Sequence, residues 1–267
     1  MLGNDSKVRS VVVHYHLLKN AGTTIDCILE KNFGHRLAYL HGQRYDSTLT
    51  NTDLLQFLHA NPEIMAVSSH HLRLPKPQSD SFVFFDIIFL RHPLDRLRSI
   101  YDFYRRAEIN TDPLVEQARR LDLGHFTELL LTRYPHLVND TQVNLLANAG
   151  RYARAPSEAD LEKAASAITQ AAVPGVAEIF DLSMSAAKYY LHPVFGRLDL
   201  KHSKQNVSPG RPESLEVRLR RMEQACGPGL YDKLLEVNAL DLQLLELANQ
   251  EIQRRLRYIP KSDVRVK

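Results

Sequence analysis

Apolar residues follow two patterns along the chain: short continuous runs and stripes at helical spacing. The runs at 9–17 and 81–90 predict buried β-strands, and the second is almost wholly apolar, which is typical of a central strand covered on both faces. Shorter runs predict strands at 64–69 and 176–180. The stripes predict helices at 22–33, 53–58, 93–106, 114–133, 140–148, 158–171, 182–191, 213–225 and 231–257.

This alternation of strands and helices predicts an α/β fold with a mainly parallel central sheet flanked by helices on both sides. The sequence shows no internal repeat, low-complexity tract or shift in composition. We therefore expect a single domain over 1–267, with the helices at about 213–257 packed on it.

Composition narrows the function classes only a little. Apolar residues make up 44% of the chain and charged residues 24%, and the net charge is +3. This balance suits an anionic ligand, but the basic residues are too dispersed to indicate nucleic-acid binding. No apolar run approaches a membrane span, and no secretory leader follows Met1. We expect a cytoplasmic enzyme whose two cysteines, Cys27 and Cys226, are reduced.

The segment 16–24 connects the first predicted strand to the first predicted helix, and it is the first candidate for chemistry. A loop with a lysine, a glycine and hydroxyls at a helix start is typical of phosphate binding. Gly22 and Thr24 match the last glycine and the hydroxyl of a nucleotide P-loop, but Thr23 replaces its lysine and Lys19 lies three residues before Gly22. The loop is therefore P-loop-like, and it favours an anion other than the γ-phosphate of ATP·Mg.

The second candidate segment, 91–101, directly follows the central strand. Arg91 comes at the carboxyl end of that strand, where open α/β sheets bind ligands. Because Pro93 suits a helix start, Ser99 falls almost two turns into the helix, and a guanidinium with a hydroxyl could receive a second phosphate. The spacing alone supports an alternative equally well, in which Arg91 only caps the strand and Ser99 is an ordinary helical serine. Arg96 is expected on the solvated face of this helix or lining an acceptor cleft.

Together, and in this order, the two motifs resemble the cofactor motifs of PAPS-dependent sulfotransferases, and more narrowly of the carbohydrate-type group (PAPS is 3′-phosphoadenosine 5′-phosphosulfate). Leu18 and His92 depart from the usual pattern, but at positions that flank the charged groups. Weaker similarity extends to 176–180 and 204–208. The matching residues read His16-x-x-Lys19-x-x-Gly22-Thr23 and Arg91-x-Pro93-x-x-Arg96-x-x-Ser99-x-Tyr101.

The resemblance implies a P-loop-like three-layer fold, PAPS as the sulfuryl donor and PAP as the product. No metal is expected, because a sulfonate carries less charge than a γ-phosphate and no acidic strand end is placed to hold Mg²⁺. The resemblance implies that Arg91 and Ser99 hold the 3′-phosphate. Lys204, in a polar loop before Pro209 and Gly210, is expected to close over the nucleotide. Lys19 is also expected to act catalytically, by stabilising the leaving phosphate. The loop residues expected to bind the 5′-phosphosulfate are Lys19, Asn20, Ala21, Gly22, Thr23 and Thr24.

A histidine is expected to take the proton of the acceptor hydroxyl, because its pKa lies near neutrality. His70 and His71 follow the predicted strand 64–69, and His70 stands where related enzymes often carry a Gly-His pair. His70 is the first choice and His71 the second, with a surface histidine of no role as the alternative. His14 and His16 share one strand face, but no matching carboxylate or cysteine spacing accompanies them, so no metal site is predicted.

The motifs thus predict transfer of a sulfuryl group from PAPS to an acceptor hydroxyl, with neither nucleic acid nor a membrane as a partner. A saccharide is the acceptor that the resemblance implies, and a lipid, a small metabolite or a tyrosine is left open by the residues themselves. A P-loop nucleotide kinase or other phosphotransferase is one alternative. A catalytically silent nucleotide-binding module is another.

Overall fold

A computed structural model of the chain describes residues 8–44, 46–108, 112–201 and 213–259. Lys204 and the segment 204–208 lie outside the described residues, so the predictions made for them stay predictions. None of the described helices is both long and apolar enough to cross a bilayer.

The centre of the fold is a five-stranded parallel sheet flanked by helices, which confirms the predicted α/β class. The strand order is β2-β3-β1-β4-β5, and β1 runs between β3 and β4, with Val12 opposite both Ala66 and Phe85. Since parallel strands end at one edge, the loops after β1 and β3 emerge together. The strands are β1 Arg9–Tyr15, β2 Leu37–Tyr39, β3 Ala66–Ser69, β4 Phe82–Leu90 and β5 Val173–Val176.

Most of the predicted helices are present in the described residues. The first and third begin and end as predicted. The stretch 114–133 forms two helices. The first ends at Arg120, and Asp122 caps the second by accepting a hydrogen bond from the His125 N–H. The helices are α1 Gly22–Phe33, α2 Asn51–Ala60, α3 Pro93–Arg106, α4 Pro113–Arg120, α5 Leu123–Arg133, α6 Thr141–Ala147, α7 Glu158–Gln170, α8 Phe180–Phe195, α9 Leu215–Cys226, α10 Pro228–Val237 and α11 Ala239–Leu256.

Two strands differ from the prediction. The strand predicted at 176–180 lies at Val173–Val176, and 177–179 is a 3₁₀ turn that leads into α8. The strand contains a glycine because the Phe89 ring packs directly on the backbone of Gly175. A Cβ on that residue would lie 2.3 Å from the ring. The short strand Leu37–Tyr39 was not predicted, since only three residues form it and none is buried.

Packing divides the chain into two compact units. The first comprises Met1–Phe89, Ala165–Gln205 and Ala248–Lys267, and the second comprises Leu90–Ala164 and Asn206–Leu247. The core of the first unit joins the sheet to α1 and α8 through residues that include Val12, Ile25, Ile28, Phe89, Phe180 and Met184. The core of the second unit joins α3, α5, α9 and α10 through residues that include Leu94, Leu97, Phe126, Leu130, Met222 and Leu234.

Candidate functional site

The loop between β1 and α1 has an unusual backbone. Lys19 and Ala21 both have a left-handed conformation, with φ of 66° and 64°, and Ala21 is the N-cap of α1. A left-handed residue other than glycine costs roughly 1 kcal/mol or more, so the surrounding structure must hold the loop in place. At such a helix start the first N–H groups lack intrahelical partners, and the positive end of the helix dipole attracts an anion.

Asn20 anchors this loop to the sheet. Its side chain is 1% exposed, and its Nδ2 donates a hydrogen bond of 2.8 Å to the carbonyl of Phe89 in β4. Its backbone N–H donates to the Leu17 carbonyl at 3.3 Å. The loop is thus tied to the strand beside β1, which explains how two left-handed residues are maintained. Asn20 therefore fixes the predicted binding loop to β4.

Gly22 owes its place to a close neighbour, because its φ lies outside the left-handed region. A Cβ on Gly22 would lie 2.0 Å from Nε2 of His16, so the imidazole fills the space a side chain would need. Of the two hydroxyls predicted to bind the donor, Thr23 is exposed and Thr24 is buried. The glycine of the phosphate-binding pattern therefore brings a histidine ring onto the first residue of α1.

A carboxylate on the second turn of α1 gathers two histidines and a serine. His14 Nδ1 lies 2.9 Å from Oδ1 of Asp26, and Ser68 Oγ donates a hydrogen bond of 2.6 Å to the same oxygen. His16 Nδ1 lies 2.9 Å from Oδ2, in an ion-pair contact that is not aligned as a hydrogen bond. Burial would raise the pKa of Asp26, but the contacts with the two histidines outweigh it and hold that pKa well below its usual range.

The sequence argument that no carboxylate accompanies His14 and His16 was therefore wrong, because the turn of α1 brings Asp26 back to β1. These three residues each place a possible metal-ligand atom within 4.8 Å of the others. In this structure the three side chains contact one another directly, so each carboxylate oxygen already has an imidazole nitrogen beside it. The prediction that the protein uses no metal stays a prediction.

His70, the first-choice base, packs on this cluster. Its ring centroid lies 3.7 Å from that of His16, and its Nδ1 lies 3.0 Å from the His16 carbonyl oxygen. Because a carbonyl can only accept, the proton of neutral His70 is on Nδ1 and the lone pair is on Nε2. Burial, and secondarily the proximity of His16, lowers the pKa of His70 to about 4. His70 is therefore neutral near pH 7 and has a nitrogen that can accept a proton.

His71, the second choice, has the opposite tautomer. The backbone N–H of Gly42 donates a hydrogen bond of 2.8 Å to Nδ1 of His71, so the proton of the neutral ring lies on Nε2. Nε2 of neutral His71 is then a donor, whereas Nε2 of His70 is an acceptor. The geometry favours His70 as the base.

The second motif belongs to the second unit, where a network of buried groups holds Arg91. Its Nε and Nη2 donate to Oδ2 of Asp95 at 2.8 and 2.7 Å, and Nε of Arg218 donates to the other oxygen at 2.7 Å. Gln142 brackets the Arg91 backbone, accepting from its N–H at 3.0 Å and donating to its carbonyl at 2.9 Å. Both the guanidinium and the backbone of Arg91 are therefore fixed.

Two residues of α3, Ser99 and Arg96, were also given roles or positions by the sequence analysis. Ser99 is half-buried, two turns into the helix. Arg96 is 2% exposed, and its Nη2 donates to the carbonyl of Leu137 at 2.7 Å. The expectation that Arg96 lies on a solvated face or lines a cleft was wrong, since its guanidinium lies within the second unit.

Sequence reasoning missed several charged side chains that hold the predicted residues in place. Spacing alone gave little signal for them, because each lies on a different element from at least one of its partners. The i, i+4 pair Arg91 and Asp95 was the exception, since one helical turn brings such positions together. The missed residues are Asp26, Asp95 and Arg218.

Comparison with known proteins gives one relative and no family. No family model matches the sequence. A protein of Archaeoglobus fulgidus, described only as uncharacterized, is 28% identical over 243 residues, which cover 89% of this chain and 95% of the relative. The chain is thus similar to this archaeal protein over almost the full length of both.

Proposed function

We propose that the protein transfers a sulfuryl group from PAPS to an acceptor hydroxyl, with a saccharide as the acceptor class, and releases PAP. One observation carries the proposal: the loop at the start of α1 and a neutral histidine with an acceptor Nε2 are joined through a single residue, His16. That residue packs on Gly22 on one side and on His70 on the other. The loop proposed to bind the anion and the histidine proposed as the base are thus neighbours within one unit.

The donor side of the reaction uses the loop. Sulfuryl transfer, like phosphoryl transfer, depends mainly on positioning and on charge stabilisation. The N–H groups at the start of α1 and the ammonium of Lys19 would hold the 5′-phosphosulfate. As the S–O bond to the nucleotide breaks, negative charge grows on the departing phosphate, and Lys19 stabilises that charge.

The acceptor side uses His70. Nε2 of His70 takes the proton of the acceptor hydroxyl while the hydroxyl oxygen bonds to sulfur, in line with the leaving phosphate. The low pKa of His70 in the unliganded protein keeps the ring neutral and ready to accept. A bound anionic donor favours the protonated ring, and so raises this pKa toward the working pH.

The resemblance assigns the 3′-phosphate to Arg91 and Ser99. The support within the second unit is the fixed guanidinium of Arg91, because a planar fork that is already held loses little freedom when it binds a phosphate. Asp95, which holds it, stays ionised. Burial would raise the pKa of Asp95, but the charges of Arg91 and Arg218 lower it overall.

Thermal shift and transfer assays test this proposal together. PAP should raise the melting temperature in the presence of EDTA, and labelled sulfate should pass from PAPS to members of a glycan panel. His70→Ala should abolish most transfer while PAP still stabilises the protein. Lys19→Ala should weaken the stabilisation by PAP, and Lys31→Ala is its control, because Lys31 is exposed and pairs with Asp199. Stabilisation by ATP·Mg without stabilisation by PAP would instead identify a phosphotransferase, and PAP binding without transfer would identify a silent module.

A further inference from the structure

We propose that Asp26 and His16 are positioning residues for the base, forming a chain Asp26–His16–His70 that fixes the ring of His70 and directs its Nε2 lone pair at the acceptor. This inference rests on the proposed function, since it deepens the role of His70. It adds two residues that act through His70.

The first link is the hold of Asp26 on His16. The carboxylate is fixed by His14 Nδ1 at 2.9 Å and by the Ser68 hydroxyl at 2.6 Å, both from buried side chains of adjacent strands. Its remaining oxygen lies 2.9 Å from Nδ1 of His16. A carboxylate held at one oxygen by two buried groups gives a rigid partner for an imidazole at the other.

The second link is the hold of His16 on His70. The ring of His16 stacks on that of His70 at 3.7 Å between centroids, with 37° between their planes. Its carbonyl oxygen accepts the Nδ1–H of the same residue. On its other side the His16 ring meets Gly22, which leaves no space for the ring to move toward α1. One residue thus fixes both the plane and the tautomer of His70.

The third element is charge. Three titratable neighbours affect His70: His16, Asp26 and His41. Burial and the two histidines lower the pKa of His70, whereas the negative charge of Asp26 raises it. Removing that charge while keeping the shape of the side chain should therefore lower the pKa further, which weakens the base as well as loosening its support.

The test compares Asp26→Asn with Asp26→Glu and with a matched control, Glu30→Gln. Glu30 lies one turn further along α1 and is exposed, with its carboxylate accepting from the Tyr39 hydroxyl. Asp26→Asn should lower kcat roughly 10-fold, which is less than the 10²–10⁴-fold that a base supplies, with little change in the KM for PAPS or in PAP affinity. Asp26→Glu should recover part of kcat, and the acid limb of the kcat/KM profile should move to lower pH in Asp26→Asn.

A second readout needs no catalysis. Nitrogen NMR of the unliganded protein should show His70 protonated at Nδ1 in the wild type and a mixture of tautomers in Asp26→Asn. If Asp26→Asn does not fold, Ser68→Ala, which removes one donor to the carboxylate, should show a smaller change in the same direction. A His70 tautomer and pKa that are the same in Asp26→Asn and Glu30→Gln would overturn the inference. If the wild type transfers no sulfate but Asp26→Asn still changes the tautomer of His70, the positioning role stands and the proposed function is removed.

Discussion

Replacing Gly22 by alanine tests the contact that joins the binding loop to the base. The added Cβ would lie 2.0, 2.1 and 2.6 Å from three atoms of the His16 ring, whereas carbon atoms pack at roughly 3.5–4.0 Å. The ring cannot step aside, because His70 lies against its other face and Asp26 contacts its Nδ1. Overpacking of this kind costs about 1–3 kcal/mol.

Part of that cost is offset by helix propensity. Alanine is better than glycine in a helix by about 0.5–1 kcal/mol, so the net destabilisation of Gly22→Ala should be about 1 kcal/mol. Gly229→Ala is the matched control, because Gly229 also lies in the first turn of a helix and a Cβ there meets nothing within 4 Å. That variant should be unchanged or slightly more stable.

The assay is denaturant unfolding of a double-mutant cycle. Gly22→Ala should be destabilising in the wild type and neutral or stabilising in a His16→Ala background, where the blocking ring is absent. Equal destabilisation in both backgrounds would refute the contact. So would a Gly22→Ala variant that behaves like Gly229→Ala.

Three further predictions concern the loop, the base and the second motif. Lys19→Gly should be more stable than Lys19→Ala by about 1 kcal/mol in denaturant unfolding, because glycine readily adopts the left-handed conformation of this residue. Equal stabilities of the two variants would contradict this reason. Both variants should weaken PAP binding measured by calorimetry. The pKa of His70 is depressed to about 4, so its contribution to the free energy of unfolding is present above pH 6.5 and is lost as pH falls toward 4. This contribution is about 1–2 kcal/mol after discounting for partial exposure. The free energy of unfolding of His70→Asn should therefore fall less than that of the wild type over this range, and parallel pH curves would exclude the effect. Arg91→Lys should weaken PAP affinity roughly 10-fold or more, because an ammonium cannot reproduce the planar fork of the guanidinium. The control Arg220→Lys, on an exposed face, should leave PAP affinity unchanged. Equal PAP affinities of Arg91→Lys and the wild type would remove Arg91 from the site.

Local signals were enough to predict much of the fold. The apolar run of β4, the helix start at Gly22 and the proline at the first position of α3 are each determined by neighbouring residues, and these elements were placed correctly. β5 was misplaced because Pro174 and Gly175 resemble a turn, and only the packing of the Phe89 ring explains the glycine. Strand propensity depends on such tertiary contacts.

The candidate site divides in the same way. The loop residues around Lys19 and the histidine after β3 could be predicted, because a strand end followed by polar residues is a local pattern. The partners that orient them could not, since Asp26 meets His14 only after α1 folds back on the sheet. Arg96 was placed at the surface because arginine is rarely buried, and its partner, the Leu137 carbonyl, carries no side-chain signal.

The proposed function requires that the loop after β1 bind a nucleotide with phosphates at both its 3′ and 5′ positions, as PAPS and PAP have. Calorimetric titration of the protein with PAP in EDTA, beside a titration with ATP·Mg, tests it most directly. The account predicts that PAP binds with one site per chain, that ATP·Mg binds far more weakly, and that Lys19→Ala weakens PAP binding while Lys31→Ala does not. Tight binding of ATP·Mg with no heat from PAP would contradict it.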